Sequence, residues 1–186
     1  MEYVDYLIFI ETERLYLRSW QLKDLAALIE MNQDPKVMKY FPSMLNVDQT
    51  KQFFHIIQKE FTEKGFGLYA AEVKETNECI GFIGFHEANF SADFTPCIEI
   101  GWRLKYSAWN QGYATEGAKA CVQYGFTSLG FKDIYSFTAK VNTRSEHIMK
   151  KIGMTYIKNF PHPKVDDGSL LKEHVLYRAQ CEKGEN

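Results

Sequence analysis

Residues 66–104 carry three aromatic and β-branched runs, Leu68–Val73, Glu78–His86 and Pro96–Leu104, joined by short polar stretches. Directly after them the apolar period changes from two to that of a helix. This change constrains the fold more than any other feature. Three strands in close succession read as an antiparallel meander. Ala114, Ala118, Cys121, Val122, Gly125 and Leu129 then line one helix face, and Gly130 follows the last of them as a left-handed terminus requires. A strand at Ile134–Ala139 makes that helix part of a late crossover.

Residues Glu13–Arg18 alternate, with Leu15 and Leu17 between Arg14, Tyr16 and Arg18, the pattern of a half-buried strand. Leu22, Leu25, Leu28 and Ile29 recur at helical spacing until Asn32-Gln33-Asp34-Pro35 ends the pattern. A second helix starts near Asn46–Asp48 and carries Phe53, Phe54, Ile57 and Phe61. Later, Ser145–Ile152 reads as a short helix stopped by Gly153, and Thr155–Phe160 and Leu170–Arg178 as closing strands. The order predicts a mixed α+β fold, a largely antiparallel sheet of about seven strands flanked by about four helices. With no linker or repeat, residues 1–186 form one domain whose core runs from about residue 10 to about residue 178.

A chain of 186 residues buries roughly 70% of its unfolded surface, so 14 Phe, 11 Tyr and 3 Trp supply a core without disulfides. The formal charge of -2 gives no electrostatic case for nucleic acid or an acidic membrane. Cys79, Cys97, Cys121 and Cys181 lie far apart and read as core thiols, and the five histidines lack ligand spacing, so no metal is expected. Glu2 and Asp5 before the short apolar run Leu7–Ile10 are unlike a secretory signal, and no run approaches a membrane span. A cytoplasmic protein is expected.

The segment Trp109-Asn110-Gln111-Gly112-Tyr113-Ala114-Thr115-Glu116-Gly117 turns from a strand into the strongest helix. Gly112 permits positive φ and close approach of a ligand, and the free N–H groups that follow suit an anion such as pyrophosphate. An ordinary strand-to-helix turn accounts for the same residues. A nucleotide-triphosphatase loop is excluded because Gly-Lys-Ser/Thr does not occur. Gly112, Ala114 and Gly117 match a degenerate dinucleotide fingerprint, but it follows a meander, and Asp133 precedes its strand instead of ending it.

This loop, the strand Cys97-Ile98-Glu99-Ile100-Gly101-Trp102 before it, and Asn142-Thr143-Arg144-Ser145 through Lys151-Ile152-Gly153-Met154 resemble the GNAT acetyltransferases. The opening Glu11-Thr12-Glu13-Arg14-Leu15-Tyr16-Leu17-Arg18 is similar to the RimJ/RimL-type branch. The resemblance implies acetyl-CoA as donor. Its pyrophosphate would lie on the turn through Asn110, Gln111, Gly112, Tyr113, Ala114 and Thr115, its pantetheine arm beside Trp102, Arg103 and Leu104, with Asn142 touching the arm. Family loops often begin with Arg or Gln where this chain has Trp109, and Glu116 repels phosphate unless its side chain points away.

Acyl transfer to an amine needs a base, oxyanion stabilisation and a proton for the departing thiolate. Glu99 lies on the face of its strand opposite Ile98, Ile100 and Trp102, and is the first choice of base; a solvated carboxylate or ion-pair partner is the alternative. The wider superfamily carries a Tyr where this chain has Met149, so the resemblance assigns the donor or thiol-orienting hydroxyl to Ser145. Ser145 also reads as a helix N-cap. Asp166 and Asp167 are either solvated turn residues of a Pro/Gly-rich loop or an attraction for the cationic acceptor, a protein N-terminus or a small amine, and Cys97 and Cys121 leave a covalent route open. A catalytically silent acyl-CoA-binding module is the competing function, and a monomer or homodimer fits either.

Overall fold

Within the described residues, 6–181 of a computed structural model, eight strands form one sheet. They are β1 (Ile8–Glu11), β2 (Leu15–Arg18), β3 (Leu68–Val73), β4 (Glu78–Ala88), β5 (Cys97–Leu104), β6 (Asp133–Ala139), β7 (Thr155–Pro161) and β8 (Glu173–Gln180), in the order β1-β2-β3-β4-β5-β6-β8-β7. The helices are α1 (Leu25–Gln33), α2 (Val47–Lys64), α3 (Tyr113–Thr127) and α4 (Thr143–Lys151). The mixed α+β class is as expected. The additional strand is β1, whose four residues are too few to display a period.

Helix α3 packs on one sheet face, where Ala118, Cys121 and Val122 meet Leu15, Leu17, Ile83, Phe85 and Ile100. A β-carbon on Gly117 would stand 2.4 Å from Ile83 Cδ1, which explains a glycine inside a helical stripe. Leu28 and Met31 of α1 and Phe54 and Ile57 of α2 cover the opposite face over Leu68, Ala70 and Phe82. Helix α2 begins with a reciprocal cap, Asn46 Oδ1 accepting from the Gln49 amide and Gln49 Oε1 from the Asn46 amide. No helix among the described residues is long and apolar enough to cross a membrane.

Every neighbouring pair in the sheet is antiparallel except β5 and β6, the strands joined through α3. Their ladder contains one partnership, Glu99 with Tyr135. Beyond it the strands part, and the Ser136 hydroxyl donates to the Ile100 carbonyl at 3.0 Å where the gap begins. One side of β5 from Gly101 onward therefore has no ladder partner.

Several expectations need correction. Leu22 lies in a 3-10 turn, Leu22–Asp24, and is 71% exposed, because the chain turns there before α1 starts. Helix α4 starts at Thr143 and its N-cap is Asn142, so Ser145 is not the cap. The last strand begins at Glu173, since residues 162–172 form turns that leave Leu170 exposed. Cys181 is exposed, whereas the other three thiols are buried.

Arg18 departs furthest from the alternating pattern, because it is fully buried. Its Nε and Nη2 donate to Glu72 Oε2 at 2.8 and 2.6 Å, and Nη1 and Nη2 to the Asp24 carboxylate at 2.6 and 2.9 Å. Nη1 also reaches the Ser19 carbonyl at 2.9 Å. Two carboxylates and a carbonyl thus satisfy the guanidinium, and this makes its burial tolerable.

Candidate active site

One cavity of about 1050 Å³ runs from the start of α3, through the gap between β5 and β6, to the groove beneath α1 and α2. At its first end Gly112 holds φ at 85° and no side chain caps α3. The amides of the first turn are left facing outward, as an oxyanion requires. Glu116 does not oppose this. Thr12 Oγ1 donates to its carboxylate at 2.6 Å, the Arg14 amide at 2.8 Å and Arg14 Nε at 2.7 Å. Partial burial works against its charge, but these hydrogen bonds prevail and hold Glu116 below the usual carboxylate range.

Trp109 is a support for the turn. Its Nε1 donates to the Leu104 carbonyl at 2.9 Å, and the Arg144 guanidinium lies 5.2 Å from its ring centroid. Arg144 also donates to Asn110 Oδ1 at 3.0 Å and pairs with no carboxylate among the described residues. It brings a positive charge beside Trp109 at the start of the turn. Asn110, Gly112, Tyr113, Ala114 and Thr115 line the cavity, whereas the Gln111 side chain turns to the Ser107 carbonyl at 2.8 Å.

In the middle of the cavity the Trp102 side chain packs toward the α3 face and Leu104 is buried there. The Arg103 side chain passes to the other face, among Phe41, Phe53 and Phe82. Asn142 Nδ2 donates to Thr138 Oγ1 at 3.0 Å and to Ser145 Oγ at 3.1 Å, while its Oδ1 accepts from the Ser145 amide at 3.4 Å. Asn142 thereby fixes the hydroxyl of Ser145 as an acceptor on one side and leaves its proton free to point into the cavity.

Glu99 lines the far end, directly across the β4–β5 ladder from His86. His86 Nδ1 lies 3.1 Å from Glu60 Oε2. That hydrogen bond raises the imidazole above its ordinary value. Burial works against the charge of Glu60, but His86, the Glu87 amide and Lys64 outweigh it and keep the group low. Glu99 goes the other way: burial pushes it up to about 8, Glu60 adds to the rise, and His86 and Lys164 oppose it. One carboxylate is thus held as an anion and its neighbour is poised to exchange a proton near neutrality.

Of the two readings of the acidic pair, the structure has the solvated turn. Asp166 and Asp167 are exposed in their turn, Asp167 pairing with Lys172 at 2.9 Å, while the same loop gives His162, Lys164 and Val165 to the cavity. Burial pushes the Cys97 thiol up to about 12 and the Cys121 thiol well above its usual value, which disfavours the thiolate that a covalent route needs.

His86, Glu60, Arg144 and the groove-facing Arg103 side chain were missed as a group. Glu60 left a signal, since it stands three residues after Ile57 on an otherwise apolar helix face.

An interrupted parallel pair, a helix start without a side-chain cap and a buried carboxylate on β5 thus meet in one cavity of a mixed α/β fold. Residues 14–155 match the acetyltransferase (GNAT) domain, and the chain belongs to this family of acyltransferases. It is 33% identical to the uncharacterized protein YkkB of Bacillus subtilis over 79% of this chain and 85% of that one. Identity to the uncharacterized N-acetyltransferase YnaD of the same organism is 32%, over 78% and 81%. A GNAT-family acetyltransferase from Bacillus anthracis superposes with a TM-score of 0.75 at 29% identity, covering 92% of this chain and 97% of its own. RimL, a ribosomal L7/L12 alpha-N-protein acetyltransferase, shares the fold with a TM-score of 0.78 at 15% identity, covering 95% of both chains.

Proposed function

We propose that residues 1–186 act as one N-acetyltransferase domain that moves an acetyl group from acetyl-CoA directly to a primary amine, on a protein N-terminus or a small molecule. The observation that carries this reading is the opened β5–β6 pair, which connects the uncapped α3 turn to Glu99 through one cavity. The residues present suit the donor: outward amides and Arg144, which pairs with no carboxylate among the described residues, for a diphosphate, and a β5 edge without a ladder partner for an amide-bearing arm. Acetyl-CoA supplies an activated thioester carbonyl.

In this reading Glu99 accepts a proton from the ammonium, directly or through water, and leaves a neutral nucleophile. A carboxylate near 8 matches an amine far better than one near its ordinary value. Main-chain N–H groups along the gap face the oxygen on which charge develops. Ser145, oriented by Asn142, passes a proton to the leaving sulfur and recovers one from the reacting nitrogen through solvent. Holding donor and acceptor in one cavity supplies much of the rate.

Calorimetry with acetyl-CoA and with CoA, followed by thiol release in the presence of peptides and small amines, tests the proposal. Binding of both ligands and release of thiol only when an amine is present is the expected result. Binding without release from any amine identifies a silent module. Absence of heat at millimolar ligand removes the donor site.

Ser145→Ala is expected to cost about 1 kcal/mol of stability, through the lost Asn142 hydrogen bond. Turnover is expected to fall at least about tenfold, a larger effect than that loss of stability explains. Chemical unfolding and initial rates on the same preparation separate the two effects; equal losses would reduce Ser145 to a structural residue.

A further inference from the structure

We propose that Arg103 anchors an oxyanion on the acceptor, a carboxylate foremost, so that the preferred amines carry a negative charge several bonds from the reacting nitrogen. This rests on the acetyltransferase reading and narrows its substrate class.

The two inward arginines of the sheet are treated in opposite ways. Arg18 meets two carboxylates and a carbonyl. Arg103 donates once, from Nη1 to Asn32 Oδ1 at 2.7 Å, and meets no carboxylate among the described residues. Its Nε is sealed from solvent with no acceptor among the described residues. Asn32 is itself buried and fixed by Thr50, to whose hydroxyl its Nδ2 donates at 3.3 Å, so the guanidinium is held in place by two helices. Phe41, Phe82 and Phe53 surround it, with ring centroids 4.0, 5.3 and 5.8 Å away. Burial pulls its pKa down to about 10, and the group stays charged at neutral pH.

Aromatic faces compensate a desolvated cation only in part, and a planar fork with free N–H groups is matched bidentately by a carboxylate. Arg103 lines the same cavity as Glu99. Alternate residues of a strand share a face, so Glu99, Gly101 and Arg103 line up under α1 and α2. A β-carbon on Gly101 would meet nothing within 4 Å, which leaves an open channel between the two charged residues. Four residues of strand span about 13 Å, a separation that the two side chains shorten without closing. An acceptor whose amine and carboxylate share one carbon cannot reach both ends. An elongated amino acid or a peptide-sized amine can.

The test uses the full chain, saturating acetyl-CoA and thiol release. The probes are ω-amino acids with about four to eight carbons, alkylamines of equal length and α,ω-diamines. The wild-type kcat/KM is expected to favour the best ω-amino acid over its matched alkylamine by about 10- to 100-fold, with diamines lowest. Arg103→Met is expected to bring that ratio close to one, and Arg103→Lys to restore part of it. CoA affinity measured on each variant reports whether it has folded. Gly101→Val, whose new side chain enters open space, gives an independent readout by depressing the ω-amino acid more than a short alkylamine.

Equal use of alkylamines and ω-amino acids by the wild type would overturn the proposal, as would a preference that survives in Arg103→Met. Acetyl-CoA binding with no release to any carboxylate-bearing amine also overturns it, while the donor site stands. Absence of CoA binding overturns the acetyltransferase reading as well.

Discussion

Replacing Glu99 by Gln is expected to lower turnover by about 10²- to 10⁴-fold with little change in acetyl-CoA affinity. The reason is positional and electrostatic. Glu99 faces the cavity beside the point where β5 and β6 part, and burial pushes it up to about 8. A base must be ionised to accept a proton. Wild-type turnover is therefore expected to rise with pH, about tenfold per unit below 8, and to level off above it. His86 and Lys164 favour the ionised form and Glu60 opposes it, so His86→Gln moves the plateau to higher pH. The Gln variant lacks the inflection. A pH series of initial rates with a fixed amine decides the matter, and undiminished turnover at every pH would exclude Glu99 as the base.

The largest expected loss of stability comes from Arg18→Met. The substitution keeps most of the buried volume but removes the partner of two buried carboxylates, Asp24 and Glu72. Breaking one side of a buried ion pair typically costs about 3–5 kcal/mol. In a chain of this size that corresponds to a fall in melting temperature on the order of 10 °C. Urea unfolding measures it directly. Adding Asp24→Asn and Glu72→Gln to Arg18→Met is expected to recover part of the loss, because the orphaned charges go with their partner. A single variant as stable as the wild type would show that the network contributes nothing net.

The same residue shows where reading from sequence stops. Leu15 and Leu17 declared their strand through spacing alone, yet nothing nearby revealed that Arg18 is enclosed, because Glu72 lies 54 positions away. Helix α3 and strands β3 to β6 were legible within a few residues, since each has a long apolar period and clear turn residues at its ends. The turn around Gly112 was legible for a similar reason, because a glycine at positive φ before a helix start is a local signal.

Glu99 was singled out as a residue of the opposite strand face, which the structure shows, but its raised pKa comes first from burial and then from the opposed charges of His86 on β4 and Glu60 on α2, which only packing brings about. Ser145 was mistaken for a cap because Asn142, three residues earlier, does that work with a backbone that is not yet helical. Asp166 and Asp167 were open between a solvated turn and a cation site, and the structure has the solvated turn. Paired acids suggest a cation, but the turn at Gly168, with φ at 84°, directs them to solvent and Lys172.

The hydrogen bonds that join Thr12 and Arg14 to Glu116 connect segments 104 and 102 residues apart, and Arg14 continues to the Gln111 carbonyl at 2.9 Å. These bonds tie the amino-terminal hairpin to the turn around Gly112. If the proposed donor site is right, trimming the leading strand, or fusing a tag that pulls on it, is an operation on nucleotide grip carried out from a segment about 100 residues away in sequence.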